Sequence, residues 1–142
     1  MPELYASPTR AATPRGLRVL LVDDSPELRD CIKGALERAG LTVVGEAADG
    51  LQALAQAAAQ RPDVVLMDLR MPGMDGIVAT RALRLQQPDT PVVLWTGDGD
   101  ALDGAVRESG AYAGLSKGVR LSELVATLRR IGSRAGGGPD PR

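Results

Sequence analysis

Five short apolar runs recur along the chain, and each stops at polar residues. Leu17-Arg18-Val19-Leu20-Leu21-Val22 ends in Asp23-Asp24, and Leu41 to Glu46 encloses Val43-Val44. Asp63-Val64-Val65-Leu66-Met67 ends in Asp68 and is followed by Leu69-Arg70-Met71-Pro72-Gly73-Met74-Asp75-Gly76. Pro91 to Trp95 ends in Thr96, and Ala111 to Ser116 leads into Lys117. The first run, nearly continuous and apolar, predicts a strand buried on both faces. The third is a buried strand too, with Asp68 at its exposed carboxyl end before Pro-Gly turn chemistry.

Between the runs the period changes to that of a helix. Ser25-Pro26-Glu27 supplies an N-cap and a first-turn proline, with Asp24 and Glu27 at capping-box spacing. Leu28, Cys31, Ile32, Ala35, Leu36 and Ala39 then share a face until Gly40 stops the helix, which predicts Cys31 in the core. An Ala-rich helix is predicted over Leu51–Gln60, ended by Arg61-Pro62. A third begins near Asp75 and runs through Ile77, Val78, Ala82 and Leu85. A weak fourth spans Asp100–Ser109 around Gly104, and an amphipathic last helix spans Leu121–Ile131. Gly104 costs about 1 kcal/mol of helix propensity relative to Ala, which suits either a movable element or close packing at that point.

Five β-α alternations joined by short loops require right-handed crossovers and a parallel sheet covered on both faces. All strand ends then lie on one edge, where such sheets bind ligands. That edge is expected to carry Asp23, Asp24, the Glu46 loop, Asp68, Thr96 and Lys117. The folded part is read as 17–131, after a Pro-containing disordered leader over 1–16 and before a Gly-rich flexible tail or linker start over 132–142.

Composition narrows the chemistry. With 44% hydrophobic and 25% charged residues, the 142-residue chain is one globular domain's worth. A net charge of -1 and a pI near 5.4 give no basic face for nucleic acid, so proteins are the expected partners. There is no His, one Cys and only two lysines, Lys33 and Lys117, which excludes Ser-His-Asp catalysis, His-containing zinc sites and an internal disulfide. No apolar run approaches a membrane span and no basic-then-apolar leader opens the chain, so a cytoplasmic protein is expected.

Three carboxylates brought together repel, each close pair by about 4 kcal/mol at an effective dielectric of 20. An all-oxygen donor set calls for a hard cation, and Mg²⁺ fits it better than zinc or calcium. Lys117 adds a fixed positive charge, and Asp68 is placed as a nucleophile for a phosphoryl group. Singly, these residues have plainer uses: Asp23 and Asp24 as helix caps, Asp68 in a turn, Thr96 as a β-former, Lys117 on the surface.

The set Asp23-Asp24, Asp68 before Met71-Pro72-Gly73-Met74-Asp75-Gly76, Thr96 and Lys117 resembles the receiver domain of two-component response regulators over residues 17 to about 131. Val43-Val44-Gly45-Glu46-Ala47-Ala48-Asp49-Gly50 and Ala79-Thr80-Arg81 resemble in particular the LuxR/NarL-type subfamily, whose receivers usually precede a DNA-binding domain that is not among these residues. The resemblance implies an α/β flavodoxin-like (βα)5 fold with strand order 2-1-3-4-5, and phosphorylation of Asp68 by a histidine kinase or phosphotransfer protein. It implies Mg²⁺ held by Asp23, Asp24, Asp68 and the main-chain carbonyl of Arg70, with Thr96 and Lys117 on the phosphoryl oxygens. Output would be a change of protein partner through the fourth helix, fifth strand and last helix, with homodimerisation possible. A switch of this kind is not a turnover enzyme, and the lack of His fits a donor from outside.

Departures from the family pattern lie downstream. The aromatic residue usual three places before the lysine is Gly114 here, so coupling through it is missing or taken over by Tyr112. Gly118 stands where proline is common after the lysine, which puts the cis peptide usual there in question. Trp95, next to Thr96, reads as a large core residue on the neighbouring sheet face. Two other functions share the fold: a pseudo-receiver that docks or dimerises without phosphorylation, and a flavin carrier, disfavoured because Asp23-Asp24-Ser25-Pro26 would repel a cofactor phosphate.

Overall fold

The computed structural model describes residues 16–136. The leader expected over 1–16, apart from Gly16, and the last six residues of the expected tail lie outside the described residues. The elements alternate as the hydrophobic runs require: β1 (Arg18–Val22), α1 (Pro26–Arg38), β2 (Thr42–Ala47), α2 (Gly50–Gln60), β3 (Val64–Asp68), α3 (Gly76–Gln86), β4 (Val92–Thr96), α4 (Leu102–Ser109), β5 (Ala113–Ser116) and α5 (Leu121–Gly136). A single 3-10 turn, Gly99–Ala101, leads into α4. The five strands are parallel in the order β2-β1-β3-β4-β5, the flavodoxin-like topology expected.

Local chemistry fixes where the helices begin. The side chains of Ser25, Asp49 and Asp75 accept the backbone N–H groups of Leu28, Gln52 and Val78 at 3.2, 2.8 and 3.0 Å. Each such cap stabilises its helix by about 1 kcal/mol. Because Ser25 caps α1, the Asp24 carboxylate is left at the strand edge and does not close a capping box.

Two cores flank the sheet. Val19, Leu21, Val64, Leu66, Val93, Trp95 and Leu115 pack against α1 and α5 through Leu36, Leu124, Leu128 and Ile131. On the other face Leu20, Val22, Val65, Met67, Val92 and Leu94 pack against α2, α3 and α4 through Ala53, Ala57, Ala79, Leu83 and Ala105.

Two sequence expectations, on Cys31 and on the end of the last helix, are corrected. Cys31 is exposed, not core. Leu28, Ile32, Leu36 and Ala39 define the inner stripe of α1, and at 3.6 residues per turn Cys31 lies about a quarter turn off its centre. In α3 the buried residues are Gly76, Ala79, Thr80 and Leu83. Val78 and Leu85, on the opposite side of the helix, are 48% and 86% exposed. The last helix continues past Ile131 to Gly136.

The two glycines of interest around α4 do different things. A Cβ at Gly104 would meet nothing within 4 Å, so close packing does not explain that residue, and α4 runs through it unbroken. A Cβ at Gly114 would lie 2.7 Å from Leu102 Cγ and 2.9 Å from Val106 Cγ2. Gly114 therefore lets α4 lie directly on the backbone of β5, the close approach that a glycine inside a strand often marks. In urea unfolding, Gly104→Ala is expected to stabilise the protein by about 0.5 to 1 kcal/mol, and Gly114→Ala to destabilise it by about 1 to 3 kcal/mol through overpacking. Equal effects of the two would contradict this packing.

Candidate functional site

Strand register brings the acidic residues together. Val22 pairs with Met67 across β1 and β3, so the next residues, Asp23 and Asp68, emerge side by side. They are 1% and 3% exposed, whereas Asp24 faces solvent. One carboxylate oxygen from each of Asp23, Asp24 and Asp68 lies within 4.8 Å of the others. Asp68 can sit this close to α3 because Gly76 has no side chain: a Cβ there would come within 2.8 Å of Leu69 Cα.

Lys117 closes the group from the other end of the sheet. Its backbone N–H donates to the Thr96 carbonyl at 2.8 Å. Its ammonium donates to Asp23 Oδ2 at 2.9 Å and lies 3.2 Å from Asp68 Oδ1. Asp23 Oδ1 also accepts the Ser25 N–H at 2.9 Å, and Asp68 Oδ1 accepts the Arg70 N–H at 3.3 Å.

One ammonium does not balance the carboxylates. Burial and then the neighbouring Asp23 charge push the Asp68 carboxyl up to about 6, against the opposing pull of Lys117 and the Arg70 N–H. For Lys117, burial works to lower the pKa, but the Asp23 hydrogen bond and the charges of Asp68 and Asp23 outweigh it and raise it above the usual lysine value. A stabilised lysine beside a destabilised carboxylate is the signature of excess negative charge. The donor set is oxygen only, with no imidazole or thiolate near, and so fits a hard divalent cation such as Mg²⁺.

The remaining predicted residues are placed differently. Thr96 is 2% exposed, and its hydroxyl oxygen accepts the Asp98 N–H at 3.1 Å, holding the β4–α4 loop. Asp98 in turn pairs with the Arg70 guanidinium at 2.6 Å, a bridge between the loops after β3 and β4. Glu46 stands apart from the carboxylate group, paired with Arg29 at 3.2 Å and Lys33 at 3.4 Å on α1. Arg29 also donates to the Asp23 carbonyl at 2.6 Å.

Sequence reasoning missed two features. Leu102 and Val106 of α4 fill the space above Gly114, while Tyr112 is 47% exposed. Trp95 is buried core, as expected, and it shares its sheet face with Asp68, since it pairs in register with Asp68 and packs in the same core as Val93. The cis peptide that Gly118 put in question is absent: none follows Lys117 or occurs elsewhere among the described residues. A glycine inside an apolar strand was the one available signal for the Leu102 contact.

A family model for the response regulator receiver domain matches residues 19–129. The chain belongs to that family. The protein-glutamate methylesterase/protein-glutamine glutaminase 3 of Hahella chejuensis is 44% identical over 140 residues, covering 83% of this chain and 40% of that protein. The response regulator GacA of Pseudomonas aeruginosa is 40% identical over 117 residues, covering 81% of this chain and 55% of its own length. The chain thus spans only about half, or less, of the length of these curated relatives. Among solved structures, a LuxR-family two-component response regulator from Aurantimonas superposes with a TM-score of 0.77 at 35% identity, covering 83% of this chain and 86% of its own. The response regulator domain of Thermotoga maritima CheB superposes with a TM-score of 0.72 at 29% identity, covering 89% of this chain and all of that one. The protein is therefore a receiver domain of two-component signalling. Among the described residues no helix is long and apolar enough to cross a membrane.

The raised Asp68 pKa carries a sign for stability. In the unfolded chain the carboxyl ionises near 3.8, and in the native receiver near 6. The native state thus holds its proton longer, and stability falls as pH rises through that window. In EDTA, stability is expected to drop by about 2 kcal/mol between pH 4 and pH 6.5 from this group, and Asp68→Asn to flatten that segment. An unchanged slope in the variant would show that Asp68 is not the titrating group.

Proposed function

We propose that this receiver takes a phosphoryl group onto Asp68 from a phosphohistidine of a partner histidine kinase or phosphotransfer protein. The observation that carries the reading is Lys117 Nζ seated between Asp23 Oδ2 at 2.9 Å and Asp68 Oδ1 at 3.2 Å, with Asp24 completing the carboxylate group. The Asp23, Asp24 and Asp68 carboxylates and the main-chain carbonyl of Arg70 would hold Mg²⁺. When bound, the ion supplies charge neutralisation to the transferring phosphoryl oxygens.

An Asp68 oxygen attacks phosphorus in line, the new O–P bond forming as the P–N bond to the donor imidazole breaks. Lys117, already between the two carboxylates, then shares its ammonium with a phosphoryl oxygen. Thr96 rotates its hydroxyl to donate to another. That turn withdraws the lone pair that Asp98 N–H now uses, and so releases the loop that leads into Leu102 and α4. With no aromatic on β5, the message passes from the loop to Leu102 and Val106 over Gly114, and from there to a protein partner at the face formed by α4, β5 and α5, or to a second copy of the receiver. The receiver works in the cytoplasm and does not itself touch nucleic acid.

Gly114 in place of the aromatic favours a second reading, a docking module that keeps the fold without phosphorylation. Intact-mass measurement after incubation with a small phosphodonor and Mg²⁺ separates the two. The expected result is one added phosphoryl group on the wild type, none on Asp68→Asn, and none in EDTA. A wild type that gains no mass would leave the docking module standing, and a mutant that still gains it would move the acceptor elsewhere.

A further inference from the structure

The strand order sets a problem for Lys117. The residue follows β5, yet its ammonium reaches carboxylates on β3 and β1, so the stem must cross the end of β4. Neighbouring strands are about 4.8 Å apart, and a flexible four-carbon stem crossing that span needs a surface to lie on.

The residue at the end of β4 on that face is Trp95. It pairs in register with Asp68 on one side and Leu115 on the other. Its side chain is 3% exposed, and Lys117 Nζ stands 5.3 Å from the centre of its ring. That is within the range where an indole face attracts a cation, an attraction that grows as water is excluded. The ring also carries a buried Nε1–H with no hydrogen-bond partner. A leucine or phenylalanine would fill the same core without that desolvation cost, so packing alone does not account for tryptophan here.

We propose that Trp95 is a positioning residue for Lys117: its ring face carries the stem across β4 and holds the ammonium between Asp23 and Asp68, where the phosphoryl oxygens arrive. The proposal rests on the reading of Asp68 as phosphoacceptor. Trp95 touches no reacting atom and acts through the lysine alone. It is also the chain's only tryptophan, so its emission reports directly on the ammonium above it.

Two measurements on the full chain test this. In the first, phosphoryl uptake from a small phosphodonor at saturating Mg²⁺ is timed by intact mass for wild type, Trp95→Leu, Trp95→Phe, Lys117→Met and the Trp95→Leu/Lys117→Met double variant. Trp95→Leu is expected to slow uptake about fivefold and Trp95→Phe to retain about half the wild-type rate or more, since a phenyl face keeps the attraction. In the Lys117→Met background, Trp95→Leu should slow nothing further. Equal slowing in both backgrounds, or Trp95→Phe as slow as Trp95→Leu, overturns the proposal. In the second, without donor or metal, the tryptophan emission of wild type and Lys117→Met is compared. A change in intensity or wavelength is expected, and superimposable spectra overturn the contact. A wild type that takes up no phosphoryl group sinks the Asp68 reading, and the emission comparison then decides alone whether the ring holds the ammonium.

Discussion

Two buried carboxylates on neighbouring strands face one ammonium, and the rest of the molecule is arranged around that imbalance. Asp23 and Asp68 are adjacent because β1 and β3 are adjacent, and the register that pairs Val22 with Met67 leaves them level. Repulsion between such groups is worth several kcal/mol at the dielectric of a partly buried site. It is borne by apolar strands whose residues are 0% exposed from Val19 to Val22 and from Val64 to Met67. A sheet this well packed cannot relax by letting one carboxylate swing out to water. The imbalance calls for a cation or a proton on Asp68, and on the proposed function for a phosphoryl group that draws the lysine and the threonine toward it.

That makes the elements touching the site the ones free to respond. The loop after β4 is held by a single Thr96 acceptor and by the Arg70–Asp98 ion pair, both at the mouth of the site. It runs through one 3-10 turn into Leu102, whose side chain occupies the room an aromatic residue on β5 would take. On the proposed function, the lever between Asp68 and the outer face of the sheet belongs to α4, and the strand beneath it contributes only the space at Gly114.

Much of this was legible in the chain. Apolar runs ending in polar residues located every strand to within two residues, and Ser25, Asp49 and Asp75 cap the helices at positions where capping residues stand in the sequence. Thr96 and Lys117 could be grouped with the aspartates because strand ends of a parallel sheet share an edge. What could not be read depends on angles and partners that a linear pattern leaves open. Cys31 lies at the border of a helical stripe, where a quarter turn decides between core and solvent. Val78 and Leu85 are apolar, but they stand opposite the small residues Gly76 and Ala79 by which α3 meets the sheet. The face of Trp95 follows from its register with Asp68, and its contact with Lys117 follows from a strand order that makes the lysine cross β4. Neither is visible until the strands are paired.

On the proposed function, Asp68, Lys117 and Thr96 together form one phosphoryl-binding site. A crystal structure of the protein grown with Mg²⁺ and beryllium fluoride, which mimics an aspartyl phosphate, tests it most directly. The fluoroberyllate is expected on an Asp68 oxygen, with Lys117 Nζ and Thr96 Oγ1 each on a fluoride and the Asp98 N–H released from Thr96. A fluoroberyllate bound elsewhere, or Asp68 still paired with Lys117 and bare of it, would show that these three residues do not form that site.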